Sequence, residues 1–392
     1  MIRLPLDYAV RNLGRSQLRL WLAVGSAALV ALLAIAGSGF VRGMDRALGT
    51  SGLERNVMLL GAGSEESIER SEISPQVATL ATANIDGVLA LPPGNDGVSF
   101  VSPEVHVALP IGEHERLVTS AVFRGITSGA FLVHPQVRIV DGRAPEPGTN
   151  EVMLGREALA SLRRAGLTVA VGGILPLDAE SLPIVGIFAA PGTVMDGEIW
   201  MPLASLKTKT QRTTDSCVIL ALTPDGDQAD VEAFAATRIE LELVAMRESD
   251  YYAALTRFLA PVRWLVVATA AIVGFGGLLG GLGTMDAAFA SRVRELGTLQ
   301  ALGFRRRAIA LSFLQESLLV AAAGGLFAAC VALLALDGVA VRSSMGTFAV
   351  VVDAVSIGAG LAAAFVLGVV GALVPAIRCL RLAVPDALKS SG

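Results

Sequence analysis

Trp264-Leu-Val-Val-Ala-Thr-Ala-Ala-Ile-Val-Gly-Phe-Gly-Gly-Leu-Leu-Gly-Gly-Leu-Gly-Thr-Met285 carries no charged side chain between Arg263 and Asp286. A helix of about 20 apolar residues crosses the roughly 30 Å of hydrocarbon in a bilayer, so this stretch reads as a membrane span. Three others share its character: Leu20–Val41, Ala308–Leu336 (interrupted only by Glu316) and Ala354–Ile377. The bulk composition agrees. Charged residues are 17% of the chain and hydrophobic ones 53%, with a mean hydropathy of +0.62, whereas soluble chains run near 25% charged. The first stretch is too long for a signal-peptide core, and no convincing small-residue cleavage site follows it, so it is read as a retained helix.

Working outward from the spans, the short loops set an orientation. Arg292, Arg294, Arg305, Arg306 and Arg307 lie between spans two and three, whereas only Arg342 lies between spans three and four. The positive-inside rule then puts the 286–307 loop and both termini on the cytoplasmic side. The resulting plan has a cytoplasmic amphipathic N-terminal helix over 1–19 and span one over 20–41. A periplasmic domain follows over 42–258, then span two over 259–285, a cytoplasmic loop over 286–307 and span three over 308–336. A short periplasmic loop over 337–353, span four over 354–377 and a cytoplasmic tail over 378–392 complete it. Arg3, Arg11, Arg15 and Arg19 share one face of the N-terminal helix, placing it at anionic headgroups as a surface helix.

Segment 42–258 reads as a mixed α/β domain. Strand-like runs begin at Val57, Val105, Val137, Val152, Leu182 and Cys217. Helices are expected over Ser74–Ala83, Arg156–Arg164 and around Gln228–Thr237, with Ser74-Pro75 opening the first. The fold class is therefore an α-helical membrane protein of four transmembrane helices, with an α/β extracytoplasmic domain between helices one and two.

Few residues offer chemistry. No phosphate-binding G-x-x-x-x-G-K-[ST] loop is present, and no nucleophile stands beside a plausible base, so no catalytic residue is expected. The net charge of -4 argues against nucleic acid as a partner. Cys217, Cys330 and Cys379 have no metal-ligand spacing, and His106, His114 and His134 lack any such motif, so no metal site is expected. Glu65-Glu66 and the acids near Asp225 read as solvated loop charges. Gly276, Gly277, Gly280 and Gly281 form two interleaved small-xxx-small pairs, which let helices approach closely in lipid. Glu316 lies roughly 13 Å along the third span. An ionisable group there is a functional candidate, against the plainer alternatives of bonding Ser312 or snorkelling to the interface.

The loop Ser291-Arg-Val-Arg-Glu-Leu-Gly-Thr-Leu-Gln-Ala-Leu-Gly-Phe-Arg-Arg-Arg307 is the most informative motif. Arg292–Leu302 make about three helical turns, with Gly303 placed to end them as a C-cap. Val293, Leu296, Leu299 and Leu302 form an apolar stripe that suits a partner's groove; the alternative is an amphipathic turn on the membrane surface.

This loop resembles the R-x-R-E-[IL]-G-x-L-x-A-L-G-[AF] signature of MacB/FtsX-type ABC transporter permeases. Phe313-Leu-Gln-Glu-Ser-Leu-Leu resembles their L-x-E-[AS]-L-L segment, with Glu316 at the acidic position. Leu373-Val-Pro-Ala-Ile-Arg-Cys-Leu-Arg-Leu-Ala-Val-Pro-Asp-Ala-Leu-Lys resembles their C-terminal ending, with Cys379 and Asp386 as departures. Ala9-Val-Arg-Asn-Leu-Gly-Arg-Ser resembles their start. Phe123-Arg-Gly-Ile, Val140-Asp-Gly-Arg, Glu151-Val-Met-Leu and Ile184-Val-Gly-Ile-Phe are similar, in order, to the MacB-type extracytoplasmic core.

The resemblance implies a permease of the separate-subunit, DevC-like branch, with no cofactor on this chain. Two copies of an ABC ATPase would bind ATP and Mg. A second copy of the permease would complete a homodimer. A periplasmic adaptor, an outer-membrane channel and membrane lipids are further implied partners. Residues 292–303 would be the coupling helix, with Arg292 in its first turn, Arg294 and Glu295 as polar contacts, Leu296 on the apolar face, Leu299 and Leu302 as anchors and Gly303 as cap. ATP-driven closure would move the periplasmic domain by mechanotransmission to export a lipid, peptide or small amphiphile. The alternatives are lipoprotein release and FtsX-like regulation of a cell-wall hydrolase.

Overall fold

A computed structural model of the chain describes residues 17–89, 99–113, 116–178, 180–290, 293–343 and 346–381. The N-terminal surface helix, His114, Arg292 and the tail beyond 381 lie outside the described residues. Two compact units divide the chain: residues 1–42, 261–339 and 350–392 form a helical unit, and 43–260 with 340–349 form an α/β unit.

The helical unit contains the first part of α1 (Gln17–Ser51), then α8 (Ala260–Ala290), α9 (Val293–Ala301), α10 (Arg306–Ala335) and α11 (Ala354–Arg381). Among the described residues, four helices are long and apolar enough to cross a membrane. Small residues set their packing. A Cβ on Gly360 of α11 would sit 2.4 Å from Ile35 Cγ1 and 2.8 Å from the Ala31 carbonyl oxygen, so only glycine admits α1 this closely. Gly324 of α10 stands equally close to α1, its Cβ position lying 2.7 Å from the Val24 carbonyl oxygen. Ala27, Val30 and Leu367 form an apolar cluster with Leu278 and Ala363, joining α1, α8 and α11.

Gly276, Gly277, Gly280 and Gly281 of α8 fall on two faces. Gly277 meets Val30 and Gly281 meets Leu367, but Gly276 and Gly280 face open space. The physical reason is the helical turn of about 100° per residue, which carries the two interleaved pairs onto different faces. At one end of the unit, Arg42 Nε donates to Asp353 Oδ2 at 2.9 Å and its terminal amine at 2.5 Å. The Val351 N–H donates to the Gly39 carbonyl at 3.2 Å beside that pair. Both charges flank spans in the sequence, and the fold brings them together.

The α/β unit is built on ten strands: β1 (Asn56–Gly61), β2 (Val101–Glu113), β3 (Arg116–Ile126), β4 (Arg138–Gly142), β5 (Val152–Gly155), β6 (Ile174–Asp178), β7 (Glu180–Ala189), β8 (Ile199–Pro202), β9 (Cys217–Ala221) and β10 (Leu243–Arg247). Their order is β10-β1-β9-β2-β3-β8-β5-β7-β4, with β6 bridging β2 and β7. The sheet is mixed, since β3/β8, β5/β7 and β2/β6 run parallel. The long strand β2 pairs with β9 through Val101–Glu104 and with β3 from Val105 onward.

Two of the unit's apolar clusters pack beneath helices. One gathers Val57, Leu59, Val218 and Leu220 under α2 (Gln76–Asn84) and α6 (Gln228–Thr237). The other gathers Val105, Phe123, Leu154, Leu182 and Ile184 with Ala158 and Leu162 of α4 (Arg156–Arg164). In α4 the buried residues stand four apart, with Glu157 in the first turn and Arg163 and Arg164 in the last, the charge order a helix dipole favours. In α6 the Asp227 carboxylate accepts from the Ala229 N–H at 3.0 Å, an N-cap that its sequence invites. The segment 337–353, expected as a simple loop, carries a hairpin of β11 (Ala340–Ser343) and β12 (Gly346–Ala349).

Candidate functional site

The candidate coupling helix forms where the motif places it. α9 ends at Ala301, and Gly303 takes φ +94°. The Phe304 N–H bonds the Leu299 carbonyl at 3.1 Å and the Gly303 N–H bonds the Gln300 carbonyl at 3.0 Å. This is a Schellman closure, in which glycine avoids the Cβ penalty of a left-handed residue.

The apolar stripe is divided between packed and exposed residues. Val293, Leu299 and Phe304 pack on Ile309 and Phe313 of α10, so Leu299 is partly buried within its own chain. The cause is the closure itself, which folds Phe304 back over Leu299 and brings α10 alongside. Leu302 stays 70% exposed. Glu295, Thr298 and Gly303 are exposed with it, as are Arg305, Arg306 and Arg307 after the turn. Arg294 and Leu296 lie on α9. Glu316 is buried inside the helical unit, 7% exposed, next to buried Ser312 and Ser317, so it does not snorkel.

A second constellation, which sequence reasoning missed, lies inside the α/β unit. Arg124 on β3 is fully buried and binds Glu198 in a fork, Nε to Oε2 at 2.7 Å and the terminal amine to Oε1 at 2.8 Å. Its other amine donates to Glu104 Oε2 at 2.8 Å. Trp200 donates its ring N–H to Glu198 Oε2 at 2.8 Å, and its ring lies 5.4 Å from the guanidinium carbon. Glu104 Oε1 accepts from Ser102 at 2.9 Å and meets His134 Nε2 at 3.0 Å. His106 Nε2 reaches Glu104 Oε2 at 3.3 Å.

Burial opposes each charge here, and the partners decide the outcome. For Glu104 desolvation pushes upward, yet Arg124 and His134 hold the carboxyl well below the usual range. Glu198 is lowered against its own desolvation by Arg124. Desolvation and the same guanidinium push His106 down, which favours its neutral form. Glu248, which opens α7 (Glu248–Phe258), is pushed up by burial. Tyr251 is raised to about 12 by burial. A cavity of about 30 Å³ is lined by His106, Arg124, Glu198, Tyr251 and Tyr252 among others, room enough for water.

Glu104, His106 and Cys217 place an oxygen, a nitrogen and a sulfur within 4.8 Å of one another. Both Glu104 oxygens already serve protein donors, and burial raises the Cys217 thiol well above its ordinary value. Glu104 thus spends both of its oxygens inside the ion network. A sequence signal for it existed in Ser102, Glu104 and His106, polar residues two apart along an otherwise apolar strand.

The chain matches the family model for the MacB-like periplasmic core domain over residues 20–237. It matches the model for the FtsX-like permease C-terminal over 266–384. It is 25% identical to the macrolide export ATP-binding/permease protein MacB of Shewanella sp. (strain ANA-3), covering 94% of this chain and 57% of that protein. It is 30% identical to the pyoverdine export ATP-binding/permease protein PvdT of Pseudomonas syringae pv. tomato (strain ATCC BAA-871 / DC3000), covering 56% of this chain and 35% of that one. The chain thus spans about half the length, or less, of these curated relatives. The crystal structure of the periplasmic region of MacB from Actinobacillus actinomycetemcomitans superposes with a TM-score of 0.39 at 13% identity, over 53% of this chain and 92% of that one. The first family model alone covers more than half of the sequence, and the chain belongs to the MacB/FtsX-type family of ABC permeases.

Proposed function

We propose that the chain is the permease subunit through which a separate ABC ATPase drives an external domain, with α9 as the coupling helix. The observation that carries this reading is the construction of α9. Its inner face is fixed to α10 through Leu299 and Phe304, so a push on the exposed tip at Leu302 moves a membrane helix rather than a loose loop. Glu295 and the arginines around the turn supply charges that orient a partner. The ATPase binds ATP and Mg, in two copies against a permease homodimer in the bacterial inner membrane. The arginine-rich loop and both termini face the cytoplasm, and the α/β unit faces the periplasm. Motion of that unit, working with an adaptor and an outer-membrane channel, exports a lipid, peptide or small amphiphile.

The test is capture of the ATPase by detergent-solubilised permease carrying Leu302→Asp. Loss of an interface anchor costs about 2 kcal/mol, so affinity should fall about thirtyfold. Thr298→Ala should change it little. If Leu302→Asp binds the ATPase as well as wild type and supports the same turnover, α9 is not the coupling element.

A further inference from the structure

Two segments of the α/β unit connect directly to membrane-spanning helices: Ser51–Asn56, which follows α1, and Glu248, which opens α7 ahead of α8. They meet at the edge of the ion network. Glu248 is 1% exposed, and its Oε2 accepts from the Leu53 N–H at 3.1 Å and from Asn56 Nδ2 at 2.8 Å. The same Asn56 amide donates to the Val133 carbonyl at 3.0 Å. A Cβ on Gly52 would lie 2.7 Å from the Glu248 carbonyl, so the two backbones touch. Ser51 Oγ accepts from the Val194 N–H at 2.9 Å, tying the same segment to the core on its other side.

Among the described residues, Glu248 Oε1 and His134 Nδ1 are both buried without a hydrogen-bond partner, and they face each other at 3.8 Å. That gap exceeds hydrogen-bonding distance by about 1 Å. His134 Nε2 is meanwhile held by Glu104, which Arg124 holds in turn.

We propose that Glu248 is the positioning residue at which both membrane-connected ends of the α/β unit are locked to its core, with His134 as the group that closes the lock. The proposal rests on the permease reading, since only then does force enter through these two ends. A side chain in the first turn of a helix ordinarily serves that helix's own free N–H groups. Glu248 instead serves two donors on the other segment, so separating the ends breaks two bonds to a buried carboxyl. Drawing Glu248 toward His134, with a proton on Oε1 to donate to Nδ1, makes a bond that is open in this structure. The junction therefore has a held setting and a released one, and residues far from the ATPase decide between them.

The experiment uses the full chain in lipid nanodiscs. Backbone hydrogen exchange over 52–57 is compared for wild type, Glu248→Ala, Gly52→Ala and Glu248→Gln. Losing hydrogen bonds to a buried carboxyl should speed exchange about tenfold or more in the first two variants. Glu248→Gln keeps an oxygen for Leu53 and Asn56 and offers an N–H to His134 Nδ1, so it should stay within about threefold of wild type. With the ATPase subunit added, stimulated turnover should fall with Glu248→Ala and Gly52→Ala and survive in Glu248→Gln. If Glu248→Ala does not fold, Gly52→Ala and Glu248→Gln decide. Unchanged exchange in the disrupted variants overturns the lock, and so does lost protection with turnover intact. If wild type itself fails to stimulate the ATPase, the permease reading falls, while the exchange data still judge the lock.

Discussion

Replacing Arg124 with Met should destabilise the α/β unit more than any comparable surface change. Arg124 is 1% exposed and is the shared cation of Glu104 and Glu198, both buried. Methionine fills much of its volume and leaves two carboxylates facing each other without a counter-charge. Breaking a buried ion pair by removing one partner costs about 3–5 kcal/mol. For a unit of this size each kcal/mol moves the melting temperature by about 2–4 °C, so a fall of about 6–20 °C is expected. The assay is thermal unfolding followed by tryptophan fluorescence, with Trp200 inside the network as a reporter, from neutral pH down past 4.5. In wild type the lowered Glu104 and Glu198 contribute stability that is present above their ordinary value of 4.5 and lost as pH falls through their native values. Without Arg124 that contribution is gone, so the deficit should be greatest at neutral pH and shrink in acid. Adding Glu104→Gln and Glu198→Gln should recover about half of the loss. A shift under about 3 °C at neutral pH, or a deficit that does not change with pH, would refute the reasoning.

Gly360→Ala places a methyl group against Ile35 and the Ala31 carbonyl, so overpacking of about 1–3 kcal/mol should lower thermal stability in detergent, whereas Gly280→Ala on α8 should be tolerated. Glu151 is drawn down to about 2, chiefly by its hydrogen bond from Arg143. Arg143→Ala should return it toward 4.5, read by side-chain NMR titration, with the wild-type pair lost only as pH falls toward 2.

The parts of the fold legible in the sequence were those with one clear periodicity. The expected helix over Arg156–Arg164 forms with those bounds, and the one around Gln228–Thr237 carries its Asp227 cap. Strands beginning near Val57, Val152 and Cys217 are apolar runs buried along their length, and the one near Leu182 buries alternate residues. β3 escaped notice because Thr119, Ser120 and Arg124 dilute its apolar residues, and β8 because it has only four residues. The ion network was illegible for a deeper reason. The polar alternation of Ser102, Glu104 and His106 marks only the β2 side; the β2/β3 and β3/β8 pairings that bring Glu104 and Glu198 to Arg124 are long-range and leave no local pattern. The packing of Leu299 was not legible because its neighbour across the turn, Phe313, lies fourteen positions along the chain.

The clip between Arg42 and Asp353 restricts how α1 can move. Its contacts of 2.5 and 2.9 Å are joined by a backbone bond between Val351 and Gly39. Sliding α1 along its axis by a single residue, about 1.5 Å, lengthens all of these contacts together. Tilting α1 about the clip leaves them nearly unchanged, because displacement is smallest at a pivot. The clip therefore resists translation of α1 more than it resists rotation.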